Sequence, residues 1–174
     1  MTLIDRYKRP LARGLQRAPW VVRLMQIGWR RFAQPWITVG ALGAVFNAQG
    51  ELLLVEHVFH PISPWGLPGG WMNRGEDPAE TVARELWEET GLRVRVDRPL
   101  LIRRAPELRN HLDMAFLCEA APGTIKLSGE LLDYRWVDPA SPPPLMSFHR
   151  QVVIAALSAR SAVSNSHPIH PAML

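Results

Sequence analysis

Apolar residues recur at positions 21, 24, 25, 28, 29 and 32, with Arg23, Gln26 and Arg30 opposite and Pro35 beyond them, which predicts an amphipathic helix over 20–32. The apolar run Ile37 to Phe46 predicts a buried strand, Asn47 to Gly50 a turn, and Glu51 to Phe59 its hairpin partner. Residues 60–70 hold three prolines and three glycines, the composition of a loop. Asp77-Pro78-Ala79-Glu80 then combines an N-cap Asp, Pro at the first helical position and Glu at the third, and Gly91 supplies the stop. Between them Ala79, Val82, Ala83, Leu86 and Thr90 form one stripe to be packed on a core. Further strands are expected at Arg93–Val96 with Leu100–Arg103, at Leu112–Glu119 and at Asp133–Val137. Phe148, Val152, Ala155, Ala156 and Ala159 mark a C-terminal helix, and Ser161–Leu174 reads as a frayed tail. Strands on both sides of one short helix, closed by a second, predict an α/β domain in three layers over 37–160, preceded by an extension over 1–36 and followed by a flexible tail over 161–174.

Composition sharpens this picture. With 174 residues, 47% apolar and 21% charged, the chain can bury a sizeable core, which excludes disorder throughout. Cys118 is its one cysteine, so a disulfide framework and a cysteine zinc cluster are both excluded, and a reducing cytoplasm is the expected compartment. No uncharged run reads as a bilayer span, and the basic start lacks the compact apolar stretch of a secretory signal. The formal charge of +4 is unevenly spread: residues 1–31 carry eight basic residues against Asp5 alone, leaving the remainder mildly acidic. Nucleic-acid binding would therefore be a property of the arm and is not expected of the domain. The arm's apolar stripe is expected to pack on the domain or in a homodimer interface, with peripheral contact to anionic lipid as the alternative.

The candidate chemistry lies on the Asp77-capped helix. At 100° per residue, with Ala79 at zero, Glu85, Glu88 and Glu89 fall at about 240°, 180° and 280°, so three carboxylates share a face. Like charges at i, i+3 and i+4 repel by roughly 0.2–0.5 kcal/mol per pair, and a cation is expected among them. All-oxygen donors select Mg²⁺ or Mn²⁺ over zinc. A merely solvated acidic face is the alternative.

The surrounding spacing favours the metal. Gly70, Glu76, Arg84-Glu85-Leu86, Glu88-Glu89 and Gly91-Leu92 match the Nudix box, G-x5-E-x7-R-E-U-x-E-E-x-G-U with U aliphatic, and Trp65-Gly66-Leu67-Pro68-Gly69 is similar to that family's lead-in. The chain thus resembles a Nudix hydrolase in element order over about 37–158, most specifically over 65–92. The resemblance implies a three-layer α/β/α sandwich with a mixed sheet, and Mg²⁺-dependent attack of water on phosphorus in a nucleoside diphosphate linked to another group. It implies Glu85, Glu88 and Glu89 as metal ligands with Glu76 in support, Arg84 orienting the catalytic glutamates, and Gly69-Gly70 admitting the metal-bound diphosphate. Glu76 and Arg84 could otherwise be a loop cap and a surface ion pair. Glu130, before the strand that holds Trp136, is the first candidate for general base, ahead of Asp113 and Glu107.

Substrate marks are weaker. Glu56 and His57 stand where many relatives have a phosphate-binding Arg. Pro106 resembles a proline of ADP-ribose hydrolases, which makes a nucleotide sugar such as ADP-ribose the first expectation, ahead of a nucleoside triphosphate. Arg103, Arg104 and Arg109 are candidate phosphate contacts or solvated surface, and Trp65 and Trp71 could stack a base or simply pack. His167 and His170, in the tail, are not expected to bind metal. A nucleotide-sensing module without turnover is the competing class, against which the intact glutamate set argues. An isopentenyl diphosphate isomerase would need an acid and cysteine arrangement absent here.

Overall fold

A computed structural model describes residues 15–33, 36–58, 62–105 and 108–165. They fall into two compact units that divide between Trp36 and Ile37. In the first, α1 (Pro19–Phe32) starts on a proline at its N-terminus and ends where the Ala33 N–H donates to the Trp29 carbonyl at 2.9 Å; no residue of this helix is buried. No helix among the described residues is long and apolar enough to cross a membrane.

The second unit is a mixed seven-stranded sheet between two helices. Its strands are β1 (Thr38–Phe46), β2 (Leu52–His57), β3 (Trp65–Gly66), β4 (Gly69–Trp71), β5 (Val94–Arg104), β6 (His111–Ala120) and β7 (Leu131–Val137), and its helices are α2 (Pro78–Thr90) and α3 (Ser147–Asn165). The main path runs β3-β2-β1-β6-β5, with β4 added to β1 and β7 to β2. Parallel pairing of β1 with β6, from Thr38↔His111 to Phe46↔Glu119, makes the sheet mixed. Strands at that centre must be covered on both faces, which is why Ala44, Val45 and Phe46 are an unbroken apolar run, each at most 1% exposed. Alternation sends Ala41, Val45, Leu53 and Val55 to α2, where they meet Val82 and Leu86. Ala44, Phe46, Leu52 and Leu54 turn the other way, towards Val152, Val153 and Ala156 of α3. A Cβ at Gly43 would lie 3.0 Å from Leu86 Cδ1 and 3.2 Å from Val82 Cγ1, so α2 rests close against β1.

Several sequence expectations change. The turn at Asn47 forms, its Oδ1 accepting the N–H groups of Gln49 and Glu51, but β1 and β2 share a single register pair, Phe46↔Leu52. The main neighbours of β1 are instead distant in sequence. The expected loop at 60–70 holds β3, which pairs with β2, and β4, which pairs with β1. The two short strands expected at 93–103 are one strand with register shifts at Val96/Arg98 and Pro99/Leu101. Helix α3 continues to Asn165, into the stretch read as a tail; residues 166–174 and Phe59 lie outside the described residues.

Burial pushes the Cys118 thiol up to about 12. A thiol reagent at pH 8 is therefore expected to leave the native chain unmodified and to label it after denaturation, because the thiolate is the reactive form. Intact-mass measurement checks this; equally fast labelling of the native chain would contradict the packing around β6.

Candidate active site

Helix α2 is built to hold carboxylates in place. Asp77 accepts the Ala79 N–H at 2.8 Å and Glu80 accepts the Asp77 N–H at 3.2 Å, closing both ends of a capping box, while Gly91 at φ 69° ends the helix in the left-handed region. Glu88 points farthest from the core. Glu89 lies beside the Val82–Leu86 stripe and is buried with it, at 6% exposure.

Arg84 organises this face with all five of its N–H donors. Nε and Nη2 reach the two oxygens of Glu76 at 2.7 and 3.1 Å, and Nη1 reaches Glu85 at 2.8 Å and Glu88 at 3.1 Å. The remaining Nη2 proton goes to the Trp71 carbonyl at 3.0 Å. Glu76 also accepts the Asn73 N–H and the Thr81 hydroxyl, so the loop before α2 and its first turn are tied to one guanidinium. The hydrogen bond from Arg84, with those from Asn73 and Thr81, holds the Glu76 carboxyl down at about 2. Burial has the opposite effect on the inner pair. It raises Glu85 despite Arg84, and it raises Glu89 to about 8, opposed by the Gly69 N–H that donates to Glu89 Oε2 at 3.0 Å and assisted by the charges of Glu85, Glu130 and Glu88.

Gly69 and Gly70 are glycines for two different reasons. A Cβ at Gly69, whose φ is 150°, would lie 2.3 Å from the Ala41 carbonyl oxygen and 2.5 Å from Leu42 Cα. At Gly70 it would lie 2.4 Å from the carboxylate carbon of Glu85. The Gly-Gly strand thus runs directly over the acidic face.

On the far side of that strand, over the α3 face of the sheet, lies a cleft of about 540 Å³ lined by Gly69, Gly70, Trp71, Arg103, His111, Asp113 and the start of α3. His111 is buried; its Nε2 donates to Asp113 Oδ1 at 3.2 Å and its Nδ1 meets the Thr38 hydroxyl at 2.8 Å. Half-exposed Trp71 packs on the His111 ring, centroids 4.6 Å apart. At the α3 end, the Leu67 N–H donates to His149 Nδ1 at 2.9 Å, which leaves the proton of that ring on Nε2 when it is neutral.

Glu76, Arg84, Glu85, Glu88, Glu89, Gly69 and Gly70 therefore come together. Glu130 sits just before β7, where its carbonyl accepts the Val58 N–H, and its charge is felt by both Glu85 and Glu89. Arg103 lines the cleft, 3.3 Å from Gln151 Oε1. Arg104, its neighbour on β5, is exposed on the opposite face because successive strand residues alternate, and so it does not share the cleft. Arg109 is exposed in a turn, and Trp65 packs under the Arg135 guanidinium at 4.2 Å. Pro106, Glu107, His167 and His170 lie outside the described residues. His111 and His149 carried no sequence signal of their own: they enter the cleft from a strand and a helix some 40 and 80 residues beyond Gly70, and only the shared parity of His111 and Asp113 on β6 marks one face.

The donor set fits a hard divalent cation. Among the described residues no three acidic, histidine or cysteine side chains form a ready cage, since Arg84 bridges Glu85 and Glu88. Mg²⁺ does not require one: it is commonly held by one or two carboxylates, waters and substrate phosphates. An all-carboxylate face packed against a glycine strand meets those terms.

Comparison with known proteins agrees with the geometry. The family model described as NUDIX domain matches residues 36–157. A MutT-like protein of Streptomyces ambofaciens is 33% identical over 105 residues, 60% of this chain and 66% of that protein. Nucleoside diphosphate-linked moiety X motif 6 of Mus musculus is 34% identical over 107 residues, 58% of this chain and 34% of that protein. The chain thus spans under two thirds of each of these curated relatives. A solved MutT protein from Methanosarcina mazei Go1 has a TM-score of 0.57 at 26% identity, covering 75% of this chain and 96% of that one. An ADP-ribose pyrophosphatase structure from Streptococcus suis 89-1591, at 23% identity, shares the fold with a TM-score of 0.59 over 72% of this chain and 93% of that one.

Proposed function

This chain belongs to the Nudix family, and we propose that its domain over 37–160 is a metal-dependent pyrophosphohydrolase that cleaves a nucleoside diphosphate linked to another group. The observation that carries this is the placement of Glu85 and Glu89 directly under the Gly69-Gly70 strand, with Glu88 joined to Glu85 through Arg84 and a cleft of about 540 Å³ on the strand's other side. That volume is of the size that takes a small-molecule ligand.

In this reading Glu85, Glu88 and Glu89, supported by Glu76, hold Mg²⁺ or Mn²⁺, whose charge would neutralise the diphosphate. Arg84 keeps the carboxylates oriented. The small Gly69-Gly70 backbone lets the diphosphate approach them, and Arg103 meets a phosphate oxygen from the cleft. Glu130 takes the proton of the attacking water as its oxygen bonds to phosphorus, and the bridging P–O bond breaks to release the second phosphate-bearing product. Trp71 offers an exposed ring face to the base.

ADP-ribose or another nucleotide sugar is the preferred substrate, because the cleft is lined by polar side chains, Arg103, Asp113 and His149, to meet a second sugar as well as a nucleoside. Relatives and similar structures are named for several different substrates, so those names support the bond cleaved more than the group beyond it. Product analysis with a nucleotide library and Mg²⁺ tests both levels. AMP and ribose 5-phosphate from ADP-ribose are expected; inorganic pyrophosphate and a monophosphate from a triphosphate would replace the substrate reading, and no metal-dependent turnover of any member would leave a binding module.

A further inference from the structure

We propose that α1 is a membrane-surface helix that lies along an anionic lipid headgroup layer, the first unit thereby docking the protein to a bilayer surface. The helix is about 21 Å long at 1.5 Å per residue, and its polar and apolar residues separate sharply. With Trp20 at zero and 100° per residue, Gln26, Arg30 and Arg23 occupy about 240° to 300°, whereas apolar residues run from Ile27 at about 340° round to Val22 at about 200°. Arg31, at about 20° in the last turn, is the one charge inside that arc. An apolar arc of more than half the circumference is wider than the roughly 100° stripe by which a helix packs on a protein core. It does match a helix sunk to about half its diameter in an interface.

The arrangement within the arc points the same way. Leu24, Val21, Phe32 and Met25 lie at its middle, and Trp20 and Trp29 lie at its two edges, about 180° apart. Indole rings with an apolar body and an N–H donor belong at the level of the headgroups, which is where those edges would sit. Both tryptophans are 66% exposed and Phe32 is 86% exposed. Residues 15–33 carry Arg17, Arg23, Arg30 and Arg31 and no acidic residue, so the segment complements an anionic surface and not a second copy of itself. Nucleic acid would satisfy the arginines but leave the apolar arc in water. Long arginine side chains can keep their charge at the headgroups while their stems cover apolar surface, which accommodates Arg31.

The test uses the full chain and is independent of its catalytic reading. Protein is sedimented with vesicles of equal parts phosphatidylglycerol and phosphatidylcholine, and with phosphatidylcholine alone, at low and high salt. Binding to the anionic vesicles only, at least tenfold weaker at high salt and at least tenfold weaker for Arg23→Glu/Arg30→Glu, is expected, together with a blue shift of tryptophan emission that Trp20→Ser/Trp29→Ser reduces. These substitutions lie outside the sheet domain, and an unchanged far-ultraviolet dichroism spectrum shows that it remains folded. No anionic-vesicle binding at low salt, binding indifferent to the charge reversal, or a lipid-free dimer that persists in place of vesicle binding would overturn the proposal.

Discussion

Glu88→Gln is expected to lower kcat by about 10²–10³-fold while the domain stays folded, the scale seen when one preorganised electrostatic contact to a transition state is removed. Glu88 is the most exposed of the three carboxylates Glu85, Glu88 and Glu89, with a side chain 57% exposed and one ion pair, to Arg84 at 3.1 Å. An exposed i, i+4 pair contributes only about 0.3–0.5 kcal/mol, and the amide oxygen of Gln can still accept from Arg84. Removing a negative charge three residues from Glu85 also relieves repulsion of similar size. Stability should therefore hardly move while turnover collapses. Steady-state kinetics beside a thermal melt separates the two; wild-type turnover in the variant would remove α2 from the reaction.

Gly69→Ala and Gly70→Ala should fail in opposite ways although they are adjacent. At Gly69 the new methyl group meets backbone, 2.3 Å from the Ala41 oxygen, at a φ of 150° that disfavours any side chain. Overpacking costs about 1–3 kcal/mol and a disfavoured backbone region another 1–3 kcal/mol, enough to unfold a marginal domain or lower its melting temperature by many degrees. At Gly70 the methyl group meets the end of the flexible Glu85 side chain, 2.4 Å from its carboxylate carbon. That carboxylate can swing away at small cost to stability, but doing so abandons its place under the glycine strand and its contact with Arg84. Gly70→Ala is thus expected to melt near wild type with activity reduced about tenfold or more, in line with the roughly 10²-fold cost of a 1 Å misplacement. Two variants with the same melting temperature and the same activity would contradict the close approach of strand to helix.

The residues that were legible in the sequence are those whose structure is local. Asp77, Pro78, Glu80 and Gly91 each act within one turn of α2, so the helix and its acidic face could be placed before any tertiary information. The box resemblance singled out Arg84 and Glu76 separately, and their ion pair, from the residue before the N-cap to the second turn of α2, came with the structure. What stayed hidden was created by distant pairing. β3 and β4 are two and three residues long in a proline- and glycine-rich stretch, and only their partners β2 and β1 make them strands. The hairpin partner β2 meets β1 only at Phe46↔Leu52, because β4 takes Gly40–Leu42 and the parallel strand β6, some 70 residues later, pairs along all of β1. The same distance hid His111 and His149, and it hid that Asp113, read only as a candidate base, pairs with His111 in the cleft. Arg103 and Arg104 looked equivalent as a dipeptide, and strand alternation alone separated them.

The outer side of β5 has a consequence for how copies of this protein behave when crowded. Among the described residues no strand pairs with that side, so it is a free sheet margin of the kind that invites another chain to add on. Pro99 has no N–H to offer, and the register shifts on either side of it interrupt the regular ladder. Arg95 and Arg98, paired with Glu119 and Asp97, set charged and hydrated groups along the same margin. A second molecule approaching there meets a broken row of donors and hydrated ion pairs, so the margin resists self-templating and fibre growth. Arg95 and Arg98 are thus accounted for by this colloidal protection, whereas Arg103 of the same strand turns to the cleft.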